Sequence, residues 1–123
     1  DNKYNIFARN FEDKPSMVND LLKSKVLLVP GHKGEIYCIA AEEARELCIP
    51  IVTMGHGSLY ERVEHNVTGY IAQNENDFIK YSNDILNDDE IFINLRKNLL
   101  QKKNTRNYLH VKNDFLKLLK IND

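Results

Sequence analysis

The feature that most narrows the possible folds is a run of strand, loop, helix and strand between residues 26 and 53. An almost wholly apolar stretch at 26–30 is followed by Lys33-Gly34-Glu35-Ile36-Tyr37-Cys38-Ile39-Ala40-Ala41-Glu42-Glu43-Ala44, and then by a second apolar stretch at 49–53. A strand that is apolar on both faces belongs inside a parallel sheet, and parallel neighbours need a crossover such as a helix to join them. Ligands of such sheets bind where strands end and helices begin. The loop after residue 30 therefore marks the expected site. Two carboxylates flank the helix start: Glu35 in the loop, and Glu43 about two turns into a helix predicted over 37–47.

The rest of the chain extends this pattern in both directions. Tyr4-Asn5-Ile6-Phe7-Ala8 predicts a short strand, and Pro15-Ser16 open a helix whose Met17, Val18, Leu21 and Leu22 face the sheet. The motif helix carries one stripe of Tyr37, Ala40, Ala41, Ala44, Leu47 and Cys48, small enough to pack closely. A strand at 51–53 leads to Gly55-His56-Gly57-Ser58, where two glycines can take positive φ. A short helix at 59–64, a turn at 66–69 and a strand at 70–72 follow, with Glu61 expected to brace the turn around Gly57. Asn66-Val67-Thr68 fits the glycosylation acceptor pattern, but a plain turn is the expected role. Asn74 caps a helix with Phe78, Tyr81 and Ile85 on one face, and Asp88 caps another with Ile91, Phe92, Leu95 and Leu99. A last helix from about Thr105 carries Tyr108, Val111, Lys112, Phe115 and Leu119, with the stem of Lys112 along the apolar stripe.

Glutamate, seven residues, glutamate is also a family signature. The stretch from Glu35 to Ala44 resembles the E-G-F-G-x-x-x-x-E-A donor-binding motif of retaining glycosyltransferases with the two-domain GT-B fold, in particular family 4, the group 1 glycosyl transferases. Cys48-Ile49-Pro50-Ile51-Val52-Thr53 is similar to that family's G-x-P-V-V-A/T strand. Gly57-Ser58-Leu59-Tyr60-Glu61-Arg62-Val63 resembles its G-G-x-x-E-x-V turn, and Glu64-His65-Asn66-Val67-Thr68-Gly69-Tyr70-Ile71 its E-D-G-V-T-G-x-L segment. Four segments in the right order, over residues 24–74, carry the resemblance. It implies an α/β, Rossmann-like parallel sheet of about four strands flanked by helices, with a helical C-terminal tail. It also implies that residues 1–123 are one C-terminal, nucleotide-sugar-binding domain. Such a domain works against an N-terminal acceptor domain of the same protein, so this chain alone is expected to be inactive.

The chemistry this motif can carry follows from its residue types. A helix N-terminus offers unpaired N–H groups and the positive end of the dipole, so a diphosphate can rest on the amides near Ile36, Tyr37, Cys38 and Ile39. Sugar and ribose each present vicinal hydroxyls, which carboxylates accept well. By the resemblance, Glu35 is the catalytic-site residue that holds the donor sugar, and Glu43 holds the ribose. The competing reading makes Glu42, Glu43 and Glu46 a solvated helix face and Glu35 a loop charge. Two departures bear on the comparison. Ile36 and Cys38 stand where the family often has glycine, and the Arg and Lys that the family places upstream against the donor phosphates have no counterpart in this chain.

Charge and cysteines bound the remaining classes. Residues 1–34 hold six basic and four acidic side chains, residues 35–90 three and twelve, and residues 91–123 eight and two. A middle segment this acidic repels a nucleotide diphosphate unless cations come from elsewhere. The basic excess after residue 91 reads as a solvated helix face, or as a contact with the inner membrane face or a lipid-linked acceptor's phosphate. Cys38 and Cys48 lie roughly 15 Å apart if one helix carries both, beyond disulfide reach, so free thiols in a cytoplasmic protein are expected. Cys38 reads as a small packed residue. The four histidines have no zinc-ligand spacing, and no metal or cofactor is expected.

The resulting expectation is a retaining glycosyltransferase domain that takes a nucleoside diphosphate sugar and serves a glycan or lipid-linked acceptor, without nucleic acid. The setting it suggests is polysaccharide biosynthesis. A nucleotide-sugar epimerase of the same fold and a non-catalytic binding or assembly module are the alternatives.

Overall fold

The structure of the protein, a computed structural model, describes residues 14–34, 36, 38–102, 112, 113 and 116–119. The order is α1 (Lys14–Leu22), β1 (Leu27–Val29), α2 (Ile39–Glu46), β2 (Ile51–Thr53), α3 (Leu59–Arg62), β3 (Gly69–Ile71), α4 (Glu75–Asn87) and α5 (Asp89–Lys102). All three strands are parallel and lie in sequence order, with Leu27 opposite Ile51 and Ile51 opposite Gly69. The fourth strand expected, at 4–8, lies outside the described residues, as does most of the last helix. Of that helix, 112, 113 and 116–118 are helical, and Lys112 is exposed. Leu119 is exposed as well, against the buried stripe expected of it.

Strand alternation sends side chains into two cores. On one face Ile51 packs with Leu21 of α1, Ala41 and Ala44 of α2, Cys38, Ile49, Leu59 and Val63, against partly buried Leu27, Val29 and Ile71. On the other face Val52 and Tyr70 meet Ile85 of α4 and Leu95 of α5, with Phe78, Tyr81, Ile91 and Phe92 around them. The sheet is thus the middle of three layers, which is why β2 is buried at every position. The alanines of α2 are the small stripe that lets this helix lie close to β1 and β2. Leu22 corrects the expectation for α1: it is 63% exposed, while its neighbour Leu21 is the residue that turns into the core.

Capping follows local chemistry. The side chain of Asn74 accepts from the Asp77 N–H at 2.8 Å, and Asp88 Oδ1 accepts from Glu90 and Ile91 N–H at 3.0 and 3.3 Å. Lys25, just before β1, donates to Leu86 O at 3.2 Å and to Asp89 Oδ1 at 2.8 Å, pinning the strand to the α4–α5 corner. That hydrogen bond, with the lysine's charge, holds the Asp89 carboxyl below the usual carboxylate range. The far end of α5 is tied to the 64–68 turn by Asn98 Nδ2 donating to Val67 O at 2.9 Å and by the Lys102–Glu64 pair. Within that turn Asn66 has φ 63°, and the Thr68 hydroxyl accepts from Glu64 N–H, so the Asn-Val-Thr run has a structural role as a tight turn. Beside it, the rings of Tyr70 and Tyr81 stack at 4.6 Å with His65 edge-on to both. Burial first, then the negative charge of Asp84, pushes the Tyr70 hydroxyl above its ordinary value.

The two cysteines are free thiols at opposite ends of α2, both buried. Cys38 is the N-cap and Cys48 lies just past the C-cap Leu47. There the chain leaves the helix through a left-handed residue: Cys48 has φ 57°. Its N–H donates to Arg45 O at 3.1 Å, and Ile49 N–H donates to Ala44 O at 2.8 Å. This pair of bonds is the Schellman stop, where glycine is the usual residue because a β-carbon crowds the left-handed backbone. Cys48→Gly is therefore expected to leave stability within about 1 kcal/mol, relief of strain offsetting the lost thiol packing. Cys48→Val should cost more than about 2 kcal/mol although it adds apolar volume, because a β-branched residue fits this backbone worst. Urea denaturation of the two variants decides, and a valine variant as stable as the parent would refute the account.

Candidate active site

Because the strands are parallel, Val29, Thr53 and Ile71 end at one edge of the sheet, and three connections rise from it at 30–38, 54–58 and 72–74. Backbone bonds knit their bases together. Met54 N–H donates to Pro30 O at 3.2 Å, Ala72 N–H to Thr53 O at 2.7 Å, and Gly55 N–H to the buried Thr53 hydroxyl at 3.1 Å. The first connection turns at Gly31, whose φ is +81°, and a β-carbon there would stand 2.4 Å from Leu59 Cδ1. The second is bracketed by Gly55 and Gly57, at φ +73° and 57°. The described residues that begin the site are thus fixed by close backbone approach together with the Thr53 hydroxyl and the Leu59 side chain.

Helix α2 opens onto this edge. Its N-cap Cys38 is extended, at φ −98° and ψ 100°, and makes no side-chain capping bond. The helix begins at Ile39, two residues later than the expected start at Tyr37. The physical reason is that the first intrahelical bond is Glu42 N–H to Cys38 O, at 3.2 Å. The amides of Ile39, Ala40 and Ala41 then have no acceptor within the helix. Of the amides expected to form a cradle, at Ile36, Tyr37, Cys38 and Ile39, that of Ile39 is one of the three open amides of the helix itself. Ile36 lies in the loop and is 90% exposed, and Ile39 is 60% exposed. Cys38 is buried in the core, as expected of a packed residue. Glu35 and Tyr37 lie outside the described residues. Glu43 stands in the second turn of α2, half-buried.

The adjacent Glu42 does not lie on the solvated face of the competing reading. Its carboxylate lies 2.6 Å from Arg62 Nη1 on α3 and 3.2 Å from Arg45 Nη2 one turn on, with its side chain only 18% exposed. The Arg45 contact was legible as an i, i+3 pair. The Arg62 contact joins two helices and has no signal in local spacing. Glu61, expected to brace the turn at Gly57, is exposed, and bracing across α2 and α3 falls to the Glu42–Arg62 pair instead. Both arginines of the acidic middle segment are thereby engaged by one carboxylate. Of the described side chains at 30–34 and 54–58, those able to present positive charge are His32, Lys33 and His56. His32 Nδ1 accepts from Gly34 N–H at 3.2 Å, which folds its ring back over the loop.

Among the described residues no cluster of three or more histidine, cysteine or acidic side chains is arranged to hold a metal ion. Also among them, no helix is long and apolar enough to cross a membrane.

Neither a curated protein nor a solved structure matches the chain. The family model for glycosyl transferases group 1 matches residues 3–108, most of its length, and so spans every element from α1 to α5. That span includes the parallel sheet, the loop at 30–38 and the helix carrying Glu43. A domain of this kind transfers a sugar from a donor to an acceptor, and the chain belongs to the group 1 glycosyl transferases.

Proposed function

We propose that the chain is the donor-binding domain of a retaining glycosyltransferase that uses a nucleoside diphosphate sugar, and that a second domain of the same protein holds a glycan or lipid-linked acceptor. The observation that carries this reading is the position of α2: its N-terminus follows β1 at the C-terminal edge of the sheet, and Glu43 stands in its second turn. Diphosphate on the amides of Ile39, Ala40 and Ala41 puts negative charge at the positive end of the helix. Glu43 then accepts from the ribose hydroxyls and Glu35 from those of the sugar. In the transfer step the bond from the anomeric carbon to the diphosphate oxygen breaks, and the electron pair leaves on phosphate. The acceptor oxygen bonds on the same face of the sugar, and its proton passes to the departing phosphate. Helix α2 lowers the barrier by stabilising the charge that develops there.

The test is the affinity of the intact protein for free nucleoside diphosphates and for nucleotide sugars, by titration calorimetry. Losing a hydrogen bond to a charged group costs about 1.5–3 kcal/mol, roughly ten- to a hundredfold. Glu43→Ala should weaken both ligands alike, whereas Glu35→Ala should weaken the nucleotide sugar and spare the free nucleotide. The same pattern for both variants, or no loss in either, would sink the assignment of roles.

A further inference from the structure

We propose that His56 positions the donor by handing a ring N–H to an oxygen of its distal phosphate, the one that carries the sugar. This inference rests on the donor-binding reading above and names a residue that reading does not use.

Three observations converge on it. First, His56 lies in the connection at 54–58 that follows β2, the strand between the other two of the described sheet. Glycines with positive φ stand on either side of it, and its carbonyl accepts the Leu59 N–H that opens α3 at 3.2 Å. Second, its backbone leans on the first connection. A β-carbon on Gly31 would lie 3.7 Å from His56 Cβ and 3.8 Å from His56 O, so the imidazole starts beside the turn that leads to α2. Third, the ring is half-buried and has no hydrogen-bond or ion-pair partner among the described residues. A half-buried histidine with no side-chain partner among the described residues, at the edge where ligands of such sheets bind, is suited to an incoming acceptor atom.

Charge decides which ligand atom that is. Residues 35–90 are strongly acidic, and Arg45 and Arg62 both lie against Glu42, which engages the charge of each. Imidazole donates from either ring nitrogen in one tautomer or the other and from both when protonated. It therefore offers a donor in every state, and the charge of the protonated ring favours an anionic phosphate oxygen over a neutral ribose or base acceptor. The α2 amides take one side of a diphosphate, and His56 supplies a contact from the neighbouring loop.

The experiment compares the intact parent with His56→Phe, which keeps a ring and removes the donors, and His56→Asn, which keeps a donor. Titration calorimetry with uridine, guanosine and adenosine diphosphates and the matching monophosphates provides the readout, using whichever base binds most tightly. His56→Phe should weaken the diphosphate about tenfold and leave the monophosphate unchanged, with His56→Asn recovering part of the loss. Equal weakening of both ligands, or no weakening of either, overturns the proposal. Should the phenylalanine variant fail to fold by circular dichroism, the asparagine variant decides: a loss confined to the diphosphate supports the contact, and parental affinity for both ligands overturns it. Glu43→Ala, run beside them, separates the two claims. If it weakens both nucleotides while His56→Phe weakens neither, the donor-binding reading stands without His56. If the parent binds no nucleotide, both fall.

Discussion

Gly69→Ala is expected to unfold most of the protein at room temperature. Gly69 opens β3 opposite Ile51, and a β-carbon built on it stands 2.1 Å from Ile51 O and 3.0 Å from the backbone C and N of the same residue. Relief by a rotamer change is impossible, because the atoms in the way belong to the neighbouring strand. Strand β3 must therefore move from β2, giving up ladder bonds and drawing Tyr70 out of the core it shares with Val52 and Ile85. Losses above about 4 kcal/mol are exceptional for one substitution, and backbone exclusion of this kind is among the mechanisms that reach them. A domain of ordinary stability has about 5–15 kcal/mol in all, so the variant should sit near or beyond its midpoint without denaturant. Circular dichroism during urea titration measures the loss, and a shift of less than about 1 kcal/mol would show that β3 adapts freely.

The second large effect is at Leu59. This side chain is fully buried at the head of α3, and its Cδ1 occupies the space that a side chain on Gly31 would enter. Leu59→Ala should cost about 2–5 kcal/mol, from lost burial and the cavity left behind. Gly31→Ala should also destabilise, through its φ of +81° and the collision with Leu59. The two costs are not expected to add. With alanine at 59 the collision disappears and only the backbone term at 31 survives, so the double variant should be more stable than the sum predicts by at least about 0.5 kcal/mol. A double-mutant cycle by urea denaturation provides the number, and strict additivity would mean that Leu59 does not hold the turn. The same contact fixes where the loop leading to α2 begins, so the coupling bears on the site as well as on the core.

Much of this architecture could be read from the residues. The limits of β2 match the strand expected at 51–53, inside the apolar run at 49–53, as burial of every one of its positions requires. The caps at Asn74 and Asp88 fall where their side chains predicted them, since an N-cap is a local interaction. Elements set by tertiary approach were harder. Strand β3 was expected at 70–72 and lies at Gly69–Ile71, because a glycine reads as a turn until a neighbouring backbone explains it. Helix α2 starts late because Cys38 is a poor capping residue and leaves no signature in the sequence. At the site, the placement of Glu43 in the helix after β1 was legible through the family motif. The pairing of Glu42 with Arg62 was not, since the partners are twenty positions apart and only folding brings α2 beside α3.

The consecutive order of the strands also bears on how the molecule assembles. Paired residues in β1 and β2 are separated by 24 positions and those in β2 and β3 by 18, as the pairings Leu27 with Ile51 and Ile51 with Gly69 require. No strand from a distant part of the chain has to be inserted between described neighbours. Short separations lower the entropy lost before contacts form and favour rapid folding. The loop at 30–38 and helix α2 are enclosed by the first of these pairings, so closing the β1–β2 ladder closes the segment that holds them both. Loop-closure entropy rises only with the logarithm of length, about 0.6 kcal/mol for each doubling. Residues can therefore be added to this loop at small cost to folding, which leaves its length free to change without loss of the sheet beneath it.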